Sequence, residues 1–172
     1  MFRALALFLI ACFFSLSSMS QAQYEILTDV KHPKEHILRG IINKYLVQND
    51  GSYTWYTQSQ TNWRPDTATL NAFEAAKSKY QYVVFGGTWC EDTHAVLPKF
   101  FKLLELSGVE DTVVTFFGVN RAKKSLGSIA DAFNIKNVPT IIVMKDGVEK
   151  GRVVEYGKTG QWDKELAGII RQ

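Results

Sequence analysis

The sequence predicts an α/β fold whose regular part begins at residue 81. Three observations support this class. Short apolar runs typical of buried strands alternate with helical patterns from that residue onward. An Asp-Gly pair at 146–147 marks a tight hairpin near the end of the chain. With 172 residues, 46% of them hydrophobic, the chain is long enough to bury a core without disulfides.

Seven elements follow in order from residue 81. They are a strand at 82–86 (YVVFG), a helix at 91–107, a strand at 112–119 (TVVTFFGV), a short helix at 127–133, strands at 140–145 (TIIVMK) and 148–156, and a helix at 160–172. The first three strands are separated by helices, so we expect them to be mutually parallel. The final hairpin then adds an antiparallel edge strand.

The preceding segment, residues 23–80, has weaker patterns. The stretch 34–48 carries isoleucine and leucine at helical spacing and predicts a helix, although Gly40 weakens it. The stretch 52–58, SYTWYTQ, alternates and predicts a strand.

Residues 65–80 predict a further helix, which Pro65 and Asp66 begin. We expect residues 23–80 to be an extension packed on the domain formed by residues 81–172.

The first 22 residues predict an export signal. Arg3 precedes the apolar run ALALFLIACFF, and small polar residues follow, with cleavage expected before Gln23. The run is short for a bilayer span, and a retained anchor is the alternative. The segment LIAC, ending at Cys12, also resembles a bacterial lipobox, which leaves a lipoprotein as a second alternative.

Charge and cysteine usage narrow the function classes. The net charge is +3 with both signs scattered, so we expect no nucleic-acid partner. The chain has two cysteines, and signal cleavage would leave Cys90 alone. A single cysteine in an exported protein is reactive, buried, or paired with another molecule, and a Cys90–Cys90 bridge between two chains stays open.

Four landmarks stand in the same order along residues 81–171. They are Trp89-Cys90 at a strand–helix turn, Pro98 eight residues after Cys90, the segment 134–140 (NIKNVPT) with Pro139, and Lys145-Asp146-Gly147 at the last hairpin. With these landmarks the chain resembles the thioredoxin superfamily, and in particular exported bacterial members with an altered active-site motif.

The resemblance implies a three-layer sandwich with a mixed central sheet, a periplasmic location, and thiol–disulfide exchange or isomerisation without a cofactor. It implies protein or small-molecule thiols and disulfides as partners, and no membrane partner after signal cleavage. The oligomeric state is left open.

Two positions depart from the pattern of the family. Thr93 stands where the second cysteine of the motif would be, and Val84 replaces the buried acid that the family often carries six residues before the nucleophile. Both losses suit a protein that does not resolve its own mixed disulfides. A lone cysteine needs an outside thiol to release its substrate.

The candidate catalytic residues are Cys90 and Thr93. At the start of a helix, unpaired N–H groups and the helix dipole stabilise a thiolate. We expect the Thr93 hydroxyl to donate a hydrogen bond to the sulfur, which favours the ionised form, while Glu91 and Asp92 oppose it.

The candidate substrate groove consists of Trp89, Val138 and Pro139. The resemblance implies that Trp89 flanks the sulfur and that Pro139 is cis and lies opposite Cys90. The Val138 backbone would then be free to pair with an extended substrate segment.

Two other functions remain open from the sequence. The first is a binding module that has kept the fold without the chemistry. The second is metal handling through Cys90 and His94, which lie four residues apart on a helix, with His32 and His36 as a weaker pair. We expect no metal or other cofactor, and we expect His94 to lie at the surface and lend positive charge to the site.

Overall fold

One mixed sheet organises residues 22–33 and 35–172, which are the residues that the computed structural model describes. Its strands are β1 (Tyr24–Thr28), β2 (His36–Ile42), β3 (Gln81–Gly86), β4 (Val114–Gly118), β5 (Thr140–Lys145) and β6 (Val148–Val154). The helices are α1 (Lys44–Gln48), α2 (Trp55–Gln60), α3 (Thr67–Ala76), α4 (Glu91–Leu106), α5 (Ile129–Ala132) and α6 (Trp162–Ile170), with a 3₁₀ turn at Asp111–Val113 before β4. The predicted α/β class is confirmed.

The strands lie in the order β1-β2-β4-β3-β5-β6. Strands β3 and β4 are parallel, and every other neighbouring pair in this sheet is antiparallel. All of the elements predicted from residue 81 onward are present with slightly shifted ends, and α3 with its N-cap Asp66 confirms the helix predicted after Pro65.

The direction of β5 corrects the prediction of three parallel strands. Thr140, the first residue of β5, pairs with Phe85, near the end of β3, so the two strands run in opposite directions. Parallel neighbours are usually joined by a helix that runs back along the sheet. Residues 119–139 contain only α5, a helix of four residues, and do not form such a crossover. The chain begins β5 at the edge where β4 ended.

The predicted helix at 34–48 is wrong over its first half. Residues 36–42 form β2, which pairs with β1 on one side and β4 on the other, and only 44–48 are helical. Gly40 has φ +126°, and a side chain there would collide with the backbone of Gln23. The isoleucines and leucines fit the repeat of a helix and that of a strand equally well. The pairing of residues 36–42 with β1 and β4 makes this segment a strand.

The predicted strand at 52–58 is also wrong, because α2 covers 55–60. This helix packs on α4 where Pro98 interrupts the backbone hydrogen bonds. Proline has no N–H for the carbonyl four residues earlier, which belongs to His94. Ser59 Oγ donates to that carbonyl at 2.7 Å, and Gln60 Nε2 donates to the Pro98 carbonyl at 2.7 Å.

Two hydrophobic clusters use alternate residues of the same strands. On β3, Tyr82 and Val84 belong to the larger cluster, which packs against α3, α4 and α6. Phe85 belongs to the smaller cluster with Ile135, Val138 and Ile142, and Trp89 and Cys90 pack against it. Side chains alternate across a strand, so these clusters cover opposite faces of the sheet.

The predicted export signal, except Ala22, lies outside the described residues, and so does Cys12. Within the part of the chain that the structure describes, no helix combines the length and the apolar character needed to span a bilayer.

Candidate active site

The turn between β3 and α4 carries Cys90 and is tied to the N-terminal segment. Thr88, 3% exposed, donates through Oγ1 to the carbonyl of His36 at 2.8 Å and accepts from the backbone N–H of Leu38 at 3.3 Å. Both partners belong to β2. The segment before residue 80 therefore helps to hold the site in place.

Cys90 is the N-cap residue of α4 and is partly exposed. Its extended backbone (φ −105°, ψ 120°) ends the turn, and its side chain makes no capping hydrogen bond. The first N–H groups of a helix have no partners within the helix, and they favour negative charge. The sulfur therefore lies at the positive end of the helix dipole.

The thiol makes one specific contact across the site. Cys90 Sγ donates to the carbonyl oxygen of Val138 at 3.2 Å. The Val138–Pro139 peptide bond is cis, as the resemblance implied. The expectation of a free Val138 backbone is corrected, because its carbonyl is occupied by the thiol and the residue is only 2% exposed.

The expected bond from Thr93 to the sulfur is also corrected. Thr93 is 2% exposed, and its Oγ1 accepts a hydrogen bond from the backbone N–H of Gly87 at 3.2 Å. Among the described residues, no hydrogen bond joins Thr93 to Cys90. The Thr93 side chain points inward from the first turn of α4, and its hydroxyl bonds to the backbone of the turn that carries Cys90. The sulfur bonds to the Val138 carbonyl instead.

Trp89 forms one wall beside Cys90. Its indole Nε1 donates to the carbonyl of Val119 at 2.9 Å. The ring folds back over Gly87, where an added Cβ would lie 2.6 Å from Nε1. The absence of a side chain at Gly87 therefore allows the indole to take this position.

Two cationic side chains lie over the Trp89 ring, and one of them is paired with a buried carboxylate. The guanidinium carbon of Arg121 lies 5.0 Å from the centre of the Trp89 ring, and Nζ of Lys123 lies 5.7 Å from it. Arg121 bonds to both oxygens of Asp29, at 2.9 Å from Nε and 2.6 Å from Nη2. Asp29 is 0% exposed, and its third hydrogen bond comes from the backbone N–H of Lys31.

The ion pair has clear electrostatic consequences. The hydrogen bonds from Arg121 lower the pKa of Asp29 to about 2, against the opposing effect of burial. The hydrogen bond to Asp29 is also the main cause that raises the pKa of Arg121, and the charge of Cys90 contributes in the same direction. The guanidinium itself lies over Trp89, the residue that precedes Cys90.

His94 does not provide the positive charge that we expected. Its ring stacks on Trp55, with the centres 4.0 Å apart, and Nε2 lies 2.6 Å from the carbonyl oxygen of Thr88. Burial is the main cause that lowers its pKa, so the neutral imidazole is favoured. Nε2 is held by Thr88 and acts as a structural donor.

Tyr156 and Asp92 also lie close enough to Cys90 for their charges to interact with it. Tyr156 follows β6 and is 42% exposed. Burial raises its pKa, and the charges of Asp92, Cys90 and Glu91 add to the effect. An aromatic ring and two carboxylates therefore add to the electrostatic surroundings of Cys90.

The metal hypothesis gains no support from the geometry. Within residues 22–33 and 35–172, no three His, Cys, Asp or Glu side chains come together as a group that could hold an ion. His32 and His36 lie in and after the β1–β2 connection, and the His36 carbonyl serves Thr88 and Tyr53.

Comparisons with known proteins leave the function open. A scan against models of protein families finds no match, and a search of curated proteins finds none. Among solved structures, one match is a crystal structure of an HIV epitope-scaffold, 17% identical over 74% of this chain and 84% of that chain, with a TM-score of 0.47. Another is a protein of unknown function from Pseudomonas aeruginosa, 17% identical over 74% of this chain and 81% of that chain, with a TM-score of 0.44. At these values neither likeness carries an argument about the site.

Sequence reasoning missed four residues around the cysteine. They are Asp29, Thr88, Arg121 and Tyr156. Arg121 could have been found, because it follows β4 at the edge of the sheet where β3 also ends. Asp29 had no local signal, since nothing in its own segment indicates a partner 92 residues away.

Proposed function

We propose that the protein is an exported, thioredoxin-like protein that exchanges or isomerises disulfides through Cys90 as its single nucleophile. The three-layer thioredoxin-like architecture and the periplasmic location are part of this proposal. The observation that carries it is the position of the sulfur. It lies partly exposed at the start of α4, 3.2 Å from the Val138 carbonyl beside the cis bond to Pro139.

The reaction begins with attack of the Cys90 thiolate on one sulfur of a disulfide. A new S–S bond forms, the old one breaks, and the departing thiolate takes up a proton. Redox state is conserved, because one disulfide replaces another. Thr93 stands where an internal resolving thiol would be, so a thiol of the substrate or a small external thiol attacks the mixed disulfide and frees Cys90.

The surroundings of the sulfur support this role in separate ways. Trp89 presents a ring that its hydrogen bond to the Val119 carbonyl holds in place. Thr93 acts through the turn, because it bonds to Gly87 and so fixes the backbone that presents Cys90. The helix N-terminus stabilises the thiolate.

A binding module without chemistry is the second candidate. One observation favours it: the thiol is engaged with Val138 and packs against the smaller hydrophobic cluster. In that case the surface around Pro139 would hold partners, and the sulfur would contribute only packing.

Substitution of Cys90 by serine separates the two candidates. The reduced protein is mixed with a model disulfide across a range of pH, and the adduct is followed by mass spectrometry. We expect the wild-type protein to form a one-to-one mixed disulfide that added thiol resolves, and Cys90→Ser to form none. Slow or absent adduct formation by a folded wild-type protein would overturn the proposal. Partner capture that Cys90→Ser retains would favour the binding module.

A further inference from the structure

The stack formed by Asp29, Arg121 and Trp89 joins the N-terminal segment to the candidate active site. Asp29 follows β1, Arg121 follows β4, and Trp89 precedes α4. The three side chains are in sequence-distant segments, and the hydrogen bonds between Asp29 and Arg121 span 92 residues. A fully buried carboxylate is expensive to desolvate unless it is paired, and this one is paired at both oxygens.

The pairing fixes the orientation of the guanidinium. Both Nε and Nη2 of Arg121 bond to Asp29, and this two-point contact holds the planar group in one orientation. Its carbon lies 5.0 Å from the centre of the Trp89 ring, within the range of a cation–π contact. Trp89 itself is held by the carbonyl of Val119, two residues before Arg121.

We propose that Asp29 and Arg121 are positioning residues for Cys90: the carboxylate holds the guanidinium against Trp89, where its positive charge favours the thiolate and its plane supports the indole wall. This inference rests on the proposed function and assigns a role in it to the N-terminal segment. Neither residue needs to touch the substrate.

Other charged and titratable groups also surround the cysteine. Glu91 and Asp92 on α4 and Tyr156 after β6 interact with the charge of the cysteine, while Lys123 lies over Trp89 and Glu35 interacts with Arg121. The negative charges of Glu91 and Asp92 repel a thiolate at Cys90. A cation fixed against Trp89 would counteract this repulsion. The hydrogen bond to Asp29 is the main cause that raises the pKa of Arg121, and the charge of Cys90 adds to it.

The test uses the pH dependence of Cys90 alkylation by iodoacetamide in the purified protein. Alkylation reports the thiolate whether or not the protein exchanges disulfides, so failure of this inference is distinct from failure of the proposed function. For Arg121→Gln we expect the midpoint of the rate profile to rise by about 0.5 to 1 pH unit.

The variant Asp29→Asn gives the discriminating result. Loss of a negative charge would by Coulomb's law lower the midpoint. If Asp29 acts by holding Arg121, the midpoint rises instead, and the double variant Asp29→Asn/Arg121→Gln matches Arg121→Gln alone. A lowered or unchanged midpoint in Asp29→Asn, or additive shifts in the double variant, would overturn the inference.

Two further variants keep the test sharp. Arg121→Lys retains the charge but loses the two-point contact, and we expect its midpoint to lie between those of the wild type and Arg121→Gln. It carries the test if Asp29→Asn does not fold, and a wild-type profile in Arg121→Lys would contradict the inference. Asp131→Asn, which removes an exposed carboxylate paired with Lys124, is the matched control and leaves the midpoint unchanged.

Indole N–H resonances supply a spectroscopic readout. We expect Asp29→Asn to move the resonance of Trp89, assigned with Trp89→Phe. The resonances of Trp63 and Trp162, which stack on each other at 5.7 Å in the other cluster, stay in place. An unmoved Trp89 resonance would contradict the positioning role.

Discussion

The thiol of Cys90 donates a hydrogen bond to the carbonyl oxygen of Val138, with 3.2 Å between sulfur and oxygen. The bond fixes the protonated sulfur against the backbone beside Pro139. A substrate that takes over the Val138 carbonyl would therefore bind and release the sulfur for attack in one step.

This relationship predicts a preference for peptide disulfides with a free backbone N–H near the half-cystine. Methylation of the amide that donates to Val138 should slow mixed-disulfide formation about fivefold to tenfold, since one hydrogen bond contributes about 1 kcal/mol. The measurement compares peptides methylated in turn at each amide flanking the half-cystine. Methylation at the far end of the peptide is the control, and equal rates for all peptides would contradict the prediction.

The turn that carries Cys90 should not tolerate a side chain at Gly87, which lies against Trp89. In Gly87→Ala the new Cβ would lie 2.6 Å from the indole Nε1, so the ring must move. We expect a loss of about 1–3 kcal/mol in the free energy of unfolding, together with a changed alkylation rate of Cys90.

The matched control is Gly168→Ala in α6, where an added Cβ meets nothing within 4 Å. It should stabilise the protein by about 0.5–1 kcal/mol, because alanine is the better helix former. Equal effects of the two substitutions in denaturant unfolding would contradict the contact with Trp89.

The contact between Ser59 and the interrupted helix α4 can be tested by a double-mutant cycle. Ser59→Ala removes the donor to the His94 carbonyl and should cost about 1 kcal/mol of unfolding free energy. In a Pro98→Ala background the restored N–H serves the same carbonyl, so the cost should fall. Thr57→Ala on the exposed side of α2 is the control, and a cost independent of Pro98 would refute the explanation.

His94 should make folding weaker at mildly acidic pH. Burial lowers its pKa from the ordinary value of 6.5, so the unfolded chain takes up its proton first as the pH falls. Stability from this group is thus fully present above pH 6.5 and is lost as the pH falls below it. His94→Phe, which keeps a ring against Trp55, should flatten the dependence between pH 7 and 5. His32→Gln, at an exposed site, controls for the loss of one imidazole.

Asp29 should also make the folded protein less stable as the pH falls, but in a lower pH range than His94. Its pKa in the folded protein is about 2, against 3.8 ordinarily, because of the hydrogen bonds from Arg121. The stabilisation is present above pH 4 and is lost toward pH 2, on the order of 1–2 kcal/mol. Unfolding of Asp29→Asn should show a shallower loss in this window than the wild type. An identical slope would argue against the buried pair.

The sequence alone determined the elements whose patterns are local. Strand 140–145 coincides with its prediction, because a run of β-branched residues ends at an Asp-Gly turn. Helix α4 begins one residue after Cys90, as predicted, since acidic residues open it and apolar residues recur on one face. The nucleophile candidate and the turn that carries it could thus be expected without coordinates, whereas the cis bond at Pro139 was implied only by the resemblance.

Tertiary structure decided the secondary structure of two segments and the hydrogen bonds of the site, because both depend on residues far away in the sequence. Residues 36–42 became a strand because β1 and β4 flank them, although their apolar spacing suits a helix equally well. Residues 55–60 became a helix because α4 offers them an apolar surface and a carbonyl without a partner. The hydrogen bonds of Cys90, Thr93 and Asp29 lie across the fold, and a periodic pattern carries no information about contacts between segments so far apart in the chain.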